Sequence, residues 1–309
     1  METAERTSVR GPALSRQFRI EKRESASANQ SEFGSAGPST DTRHAGLLII
    51  NADDWGLDTH TTGGILDCAL QGTISSVSAM VFMEDSERAA EIAREREIDT
   101  GLHLNLTTPF FPHSCPRELR ERQGELCRYL RRNLCARAIY NPRLSRDFEY
   151  AVKAQIEEYC RIYGREPQRF DGHHHMHLCA NVLLGGLLPP GAIVRRHFSW
   201  EAGEKPLRNA FFRKFTNALL TRRHRLVDFL FSLPPLEPPA HLQRVFSLAS
   251  KSVVELETHP VDPEEYRFLR NGALLRRIGN LPIASRFAIS GGQRDKRANF
   301  GSGETARIV

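Results

Sequence analysis

The sequence has no run of apolar residues near the roughly 20 that a membrane-spanning helix requires, so nothing in it predicts a bilayer span. Cysteine is sparse: Cys68, Cys115, Cys127, Cys135, Cys160 and Cys179 form no CxxC pair and no dense framework. That spacing excludes a disulfide scaffold or a thiolate zinc ribbon and suits reduced thiols in a reducing compartment. No apolar stretch follows the charged opening Met1–Arg10, which argues against a secretory signal. Glu2, Glu5, Glu21 and Glu24 argue against an organellar transit peptide, so the expected location is cytoplasmic. A strong charge bias is also missing, since 43 Lys and Arg stand against 37 Asp and Glu, a formal net charge of +6. With no C2H2 spacing, recognition-helix signature or aromatic RNA-binding motif, no nucleic-acid partner is expected.

What is present is a chain of 309 residues, 40% apolar, long enough to bury a substantial core. Residues 1–44 are rich in Ser, Thr, Arg and Glu and poor in large apolar side chains, so they read as a disordered tail. Residues 290–309 read as a flexible C-terminal tail, leaving one domain over 45–289. Within it, apolar strand-like runs alternate with helical patterns. Leu47-Leu48-Ile49-Ile50 reads as a buried strand, Ile74 to Phe82 as a second, Gly101 to Leu106 as a third, Gln168 to Asp171 as a fourth and Val253 to Thr258 as another. Helices are predicted up to Leu70, over Ser86 to Arg96 and over Phe148 to Tyr163, the last closed by Gly164. Asp262-Pro263-Glu264-Glu265 is a helix start, with an N-cap candidate and Pro at N1. Alternating β and α units predict an α/β fold, a distorted or incomplete (β/α) barrel of the TIM type in a single domain. An open doubly wound sheet is the alternative.

Polar residues recur where these strands end, which is where a βα barrel builds its active site. Asp53 and Asp54 follow the first apolar run. A generic Asp-Asp pair is a turn or an N-cap, but two adjacent acids aimed at one pocket call for a cation. His103 lies in an otherwise apolar strand and, taken alone, reads as a hydrogen-bonded core residue. The cluster His173, His174, His175 and His177 favours metal ligation, with alternation on an extended segment placing His173, His175 and His177 on one side. His259, at another strand end, is positioned as an acid, although His-Pro by itself marks a turn. Imidazole and carboxylate ligands suit one divalent ion with open positions for water and substrate, and hence hydrolysis. The same set serves a phosphoesterase or another amidohydrolase equally well, so the residue types alone leave the bond open.

Four segments in order, Asn51-Ala52-Asp53-Asp54-Trp55-Gly56, Gly101-Leu102-His103-Leu104, Asp171-Gly172-His173-His174-His175-Met176-His177 and Glu257-Thr258-His259-Pro260, resemble the YdjC-like carbohydrate deacetylases. The resemblance spans roughly residues 46 to 275. It implies a βα-barrel-like fold and a divalent metal, Mg2+ or Zn2+ with Mn2+ or Co2+ as alternatives. The implied reaction is removal of an acetyl group from an N-acetylated sugar. By position, Asp54, His103 and His173 would bind the metal, Asp53 would be the general base and His259 the general acid. Asp171, His175, His177, Trp55 and Arg195 would support the ligands or line the pocket. Trp55 stands where the family more often has Phe, and Gly172 where it often has Ser.

Two basic segments belong to this chain in particular. Residues 112–146 carry nine arginines interrupted by Leu119, Leu126, Tyr129, Leu130 and Leu134. Residues 195–225 interleave basic side chains with Trp200, Phe211, Phe212 and Phe215. The ordinary reading is a solvated helical face. The functional reading is a lid over the pocket, with an anionic or lipid-linked sugar as the substrate.

Overall fold

A computed structural model of the chain describes residues 46–113, 115–132, 134–199, 207–284 and 287. The tails expected over 1–44 and 290–309, and Trp200, lie outside the described residues. Seven strands form one sheet: β1 (Leu47–Trp55), β2 (Ser76–Ala79), β3 (Thr100–Leu104), β4 (Arg169–Gly172), β5 (Ile193–Val194), β6 (Phe229–Ser232) and β7 (Val253–Thr258). Their order is β5-β4-β3-β2-β1-β7-β6, and every neighbouring pair is parallel. Between them run α1 (Thr59–Leu70), α2 (Ser86–Glu95), α3 (Arg117–Arg132), α4 (Ser145–Tyr163), α5 (Ala180–Leu184), α6 (Leu207–Leu220) and α7 (Ala240–Ala249). The helices α8 (Pro263–Arg270) and α9 (Ala273–Ile278) follow the last strand.

This order is the chain order wrapped round, so the edge strands β5 and β6 are consecutive in sequence. Backbone bonds join the two sides where no ladder forms: Val194 N to Arg225 O (2.9 Å), Arg225 N to Ala192 O (3.0 Å) and Ser199 N to Leu230 O (2.8 Å). The sheet is curled and the fold is a distorted α/β barrel, as expected. The strands that periodicity did not reveal are β5, at 2 residues too short for alternation to register, and β6, a continuous apolar Phe-Leu-Phe without alternation.

Alternation along each strand sorts two environments. Leu48, Ile50, Ala52, Val77, Ala79, Leu102, Leu104, Phe170, Val194, Val254 and Leu256 join the main core, packed with Ile65, Ala89, Phe148, Tyr159 and Val245 from the helices. The residues between them face the barrel interior. At its base Ile49, Val227 and Ala284 form a small separate apolar plug. Above it the interior is polar and fully buried: Asn51, Ser76, Ser78, His103, Arg169, Asp171, Arg195, Glu255 and Glu257 are each under 5% exposed. Gly101 occupies an interior position because a Cβ there would lie 2.7 Å from Arg169 Cζ.

Helix α4 buries Phe148, Ala151, Val152, Tyr159, Ile162 and Tyr163 and ends at Gly164 with φ 68°, the left-handed C-cap its sequence predicts. Gln155 on the same face is buried, receiving Asn105 N on Oε1 at 2.7 Å. The arginine-rich segment is mainly the helix α3, which buries Leu119, Leu126 and Leu130 and ties to α4 through Arg122 and Asp147 at 2.9 Å. Its arginines largely form a solvated face, with Arg117 and Arg122 side chains 83% and 41% exposed. Among the described residues, no helix is long and apolar enough to cross a membrane.

Candidate active site

Strand β1 delivers two adjacent acids to one place by breaking its own alternation. Its register against β2 runs Asn51 to Ser76 and Ala52 to Val77, then jumps to Trp55 opposite Ala79, a bulge holding Asp53 and Asp54. Asp54 takes φ 68°, a left-handed conformation tolerated by Asp better than by most side chains. Both carboxylates then reach one imidazole: His103 Nε2 lies 3.3 Å from Asp54 Oδ1 and 3.9 Å from Asp53 Oδ2. The bulge also reverses the parity of the next residue. Trp55, expected in the pocket, instead points into the helix layer, fully buried with Nε1 donating to Ala89 O at 3.1 Å. Its size therefore serves packing under α2.

Strands β3 and β4 are in register at His103 and Asp171, and His103 Nδ1 donates to Asp171 Oδ1 at 2.8 Å. A carboxylate can only accept there, so the hydrogen sits on Nδ1 and Nε2 is turned toward Asp54. Asp171 is held in turn by Ser78 Oγ (2.5 Å), Arg169 (3.1 Å) and Arg195 (3.1 Å).

The histidine cluster is not extended as alternation suggested. Residues His173–Leu178 wind as a 3-10 turn in which His174 and His175 have φ 53° and 57°. The turn sends each imidazole a different way. His173 Nδ1 donates to Asp54 Oδ1 at 2.8 Å, and its ring meets that of His103 edge-on with centroids 5.7 Å apart. His174 Nδ1 bonds the Thr107 hydroxyl at 2.9 Å. His175 Nε2 lies 3.6 Å from Glu257 Oε2, with its ring against Phe198. His177 is buried, donating from Nε2 to Arg195 O at 2.9 Å.

Arg195, expected by resemblance to support the ligands or line the pocket although it opens a basic stretch, has a side chain 1% exposed at the centre of the interior. Its guanidinium grips Asp53 bidentately at 2.6 and 2.7 Å, Glu255 at 2.8 Å and Glu257 at 3.0 Å. Glu255 and Glu257 were missed from sequence, although period-two spacing through Glu255, Glu257 and His259 on β7 was available to find them. His259 Nε2 stands 3.9 Å from both Asp53 Oδ2 and Glu257 Oε1, and its backbone N–H donates to Glu265 Oε2 at 2.8 Å.

So many buried acids set the protonation states. Burial opposes charge on His103, but Asp53, Asp171 and Asp54 outweigh it and push the imidazole up to about 10. Burial also raises Asp53, yet Arg195 and His103 hold it below the ordinary carboxylate range. Asp54 is held down against burial by His103 and His173. Burial, with Asp53 and Glu255 adding to it, drives Glu257 well upward. His177 falls to about 4 through burial.

A cation fits this arrangement. One donor atom each from Asp54, His103 and His173 lies within 4.8 Å of the others, and the tethered Nδ1 of His103 leaves Nε2 as its inward atom. A donor set of one carboxylate and two imidazoles suits a divalent ion.

The chain also resembles known proteins. A fold comparison matches a crystal structure from Enterococcus faecalis, a candidate cellobiose-phosphate cleavage protein, with TM-score 0.54, 19% identity and coverage of 78% of this chain and 96% of that one. That likeness concerns the fold alone. A chitooligosaccharide deacetylase of Yersinia pestis is 32% identical over 137 residues, 44% of this chain and 52% of that protein. A carbohydrate deacetylase of Mus musculus is 34% identical over 140 residues, 44% of each chain. The aligned region thus spans about half the length of the curated relatives. The model of the YdjC-like protein family matches residues 47–266, a stretch that contains every residue of the site, and the chain belongs to the YdjC-like family.

Proposed function

We propose that this protein is a carbohydrate N-deacetylase that hydrolyses the acetamide of an N-acetylated sugar, with a divalent ion held by Asp54, His103 and His173. The observation that carries the reading is the convergence of that triad with Asp53 on one side and His259 beyond it. The Yersinia and mouse relatives, a chitooligosaccharide deacetylase and a carbohydrate deacetylase, support the bond and the substrate class. When bound, a divalent cation supplies a Lewis acid for the acetamide carbonyl and acidifies water. Asp53, ionised and aimed by Arg195, accepts the proton of the attacking water. His259, half-exposed on the open side, gives a proton to the departing nitrogen as the carbon–nitrogen bond breaks. Asp171 keeps the His103 ring turned and its tautomer fixed. The products are acetate and the free amino sugar.

The test is acetate release from diacetylchitobiose and N-acetylglucosamine, with chelator and after adding back Mg2+, Zn2+, Mn2+ or Co2+ singly. Chelation is expected to abolish release and one or more ions to restore it. Asp53→Asn should retain bound metal and lose about 10²- to 10⁴-fold in rate, whereas His103→Ala should lose the ion. Absence of acetate from a broad acetylated-sugar panel, with folded and metal-loaded protein, overturns the reading.

A further inference from the structure

Beside the metal triad, a second set of three donor groups converges. Asp53, Glu257 and His259 each bring a nitrogen or oxygen within 4.8 Å of the others. A second cation is the obvious reading, and the geometry argues against it. Arg195 Nη1 already stands 2.6 Å from Asp53 Oδ2 and 3.0 Å from Glu257 Oε2, supplying the positive charge between the two acids. What Arg195 leaves open is Glu257 Oε1, the oxygen turned toward His259 Nε2 at 3.9 Å.

We infer that Glu257 is the proton partner of His259, a positioning residue whose carboxyl supplies the imidazole with the proton it delivers to the leaving nitrogen. The inference rests on the deacetylase reading above. Glu257 is suited to hold that proton. Its side chain is 5% exposed, and it faces Asp53 from β1, Arg195 after β5, His175 after β4, and Glu255 and His259 on its own strand. Glu265, from α8, reaches the His259 backbone. Burial favours the neutral carboxyl, and the neighbouring Asp53 and Glu255 charges add to it against Arg195 and His103. Asp53 and Glu257 therefore divide the roles, since the bidentate grip of Arg195 is on Asp53 and Glu257 has a single contact with it.

In the transfer, the O–H bond at Glu257 Oε1 breaks and an N–H bond forms at His259 Nε2. The resulting carboxylate keeps its bond from Arg195, whose charge stabilises it. His259 then passes that proton to the departing amine, and Glu257 regains one from bulk water through the open side. The transfer requires the His259 ring, which is 36% exposed, to turn toward Oε1 across the 3.9 Å gap. Active-site contacts of this kind are commonly long before substrate binds.

The test is Glu257→Gln in the metal-loaded protein. Glutamine keeps the shape and the contact to Arg195 but holds no acidic proton. Turnover is expected to fall about tenfold or more with KM little changed, and the alkaline limb of the rate profile to move down by about one pH unit. A second arm needs no substrate: the His259 ring is titrated by NMR, where wild type is expected to show two coupled steps and Glu257→Gln one step at lower pH. Glu257→Asp, which retains the carboxyl, is expected to recover part of the rate. Unchanged turnover, pH profile and His259 titration in Glu257→Gln would overturn the assignment. Should Glu257→Gln fail to fold, a single-step titration of His259 in wild type overturns it equally. If wild type released no acetate, the deacetylase reading would fail while the titration arm still decided the Glu257–His259 pairing.

Discussion

Strands β1 and β7 lie side by side in one continuous register, Leu47 to Val253 through Ala52 to Thr258, and both feed the same pocket by opposite means. On β7 and just past its end the rule of alternation is obeyed: Glu255, Glu257 and His259 succeed one another every second residue and all face inward. On β1 it is broken, because a bulge and a left-handed Asp54 turn two consecutive acids onto one imidazole. Regular strand geometry spaces charges along the barrel axis, and a bulge concentrates them. The pair of acids on β1 is thus a local distortion, while the acid–imidazole series running off β7 is ordinary pleating.

Arg195 links the two strands, and its removal is the largest expected disturbance of the comparison. Arg195→Met would leave Asp53, Glu255 and Glu257 buried without their shared cation, and a loss of about 3–5 kcal/mol is expected, read by urea unfolding. The Asp54 bulge is tested at smaller cost. Asp54→Asn suits φ 68° and should keep stability close to wild type while losing metal affinity. Asp54→Val puts a β-branched side chain into that conformation and should cost a further ~1–3 kcal/mol. Equal stability of the two variants would show that β1 does not depend on the left-handed turn.

The smallest effect concerns the end of β7. Burial raises Glu265 to about 7 against an ordinary 4.5, although the His259 N–H works against the rise. Its folded pKa lies above its unfolded one, so between pH 4.5 and 7 the native state holds more protons than the unfolded chain. Stability from this group is therefore fully present below about 4.5 and declines as pH rises to about 7. Glu265→Gln should flatten that slope in melting temperature against pH. An unchanged slope would mean that Glu265 does not titrate there.

Much of β7 was legible: the strand, His259, and the Asp262 cap and Pro263 start of α8 all follow from local sequence. Glu255 and Glu257 were equally available through period two, but a charged residue in a strand ordinarily reads as facing solvent, and only a polar barrel interior makes inward acids tenable. Helix α4 and its Gly164 cap were legible for the same local reasons. Trp55 and the histidine turn were not. The parity of Trp55 depends on the bulge just before it, and the directions of His174, His175 and His177 depend on two left-handed residues that an extended reading excludes. Arg195 is expected near the pocket by resemblance alone, because a strand of 2 residues carries no alternation to place it and its neighbours are basic.

By itself, the sequence determined the alternating β and α units, the acids and imidazoles at strand ends, and the resemblance carried by four short segments. Those features are encoded within a few residues, through apolar periodicity, caps and side-chain chemistry. The tertiary structure alone decided which acids share a cation, which imidazoles face inward, and that one arginine of a basic stretch sits at the centre of the barrel. Each of those outcomes depends on residues far apart in the chain, Asp53 with Arg195 and Glu257 or His103 with Asp171, meeting only when parallel strands fix their register.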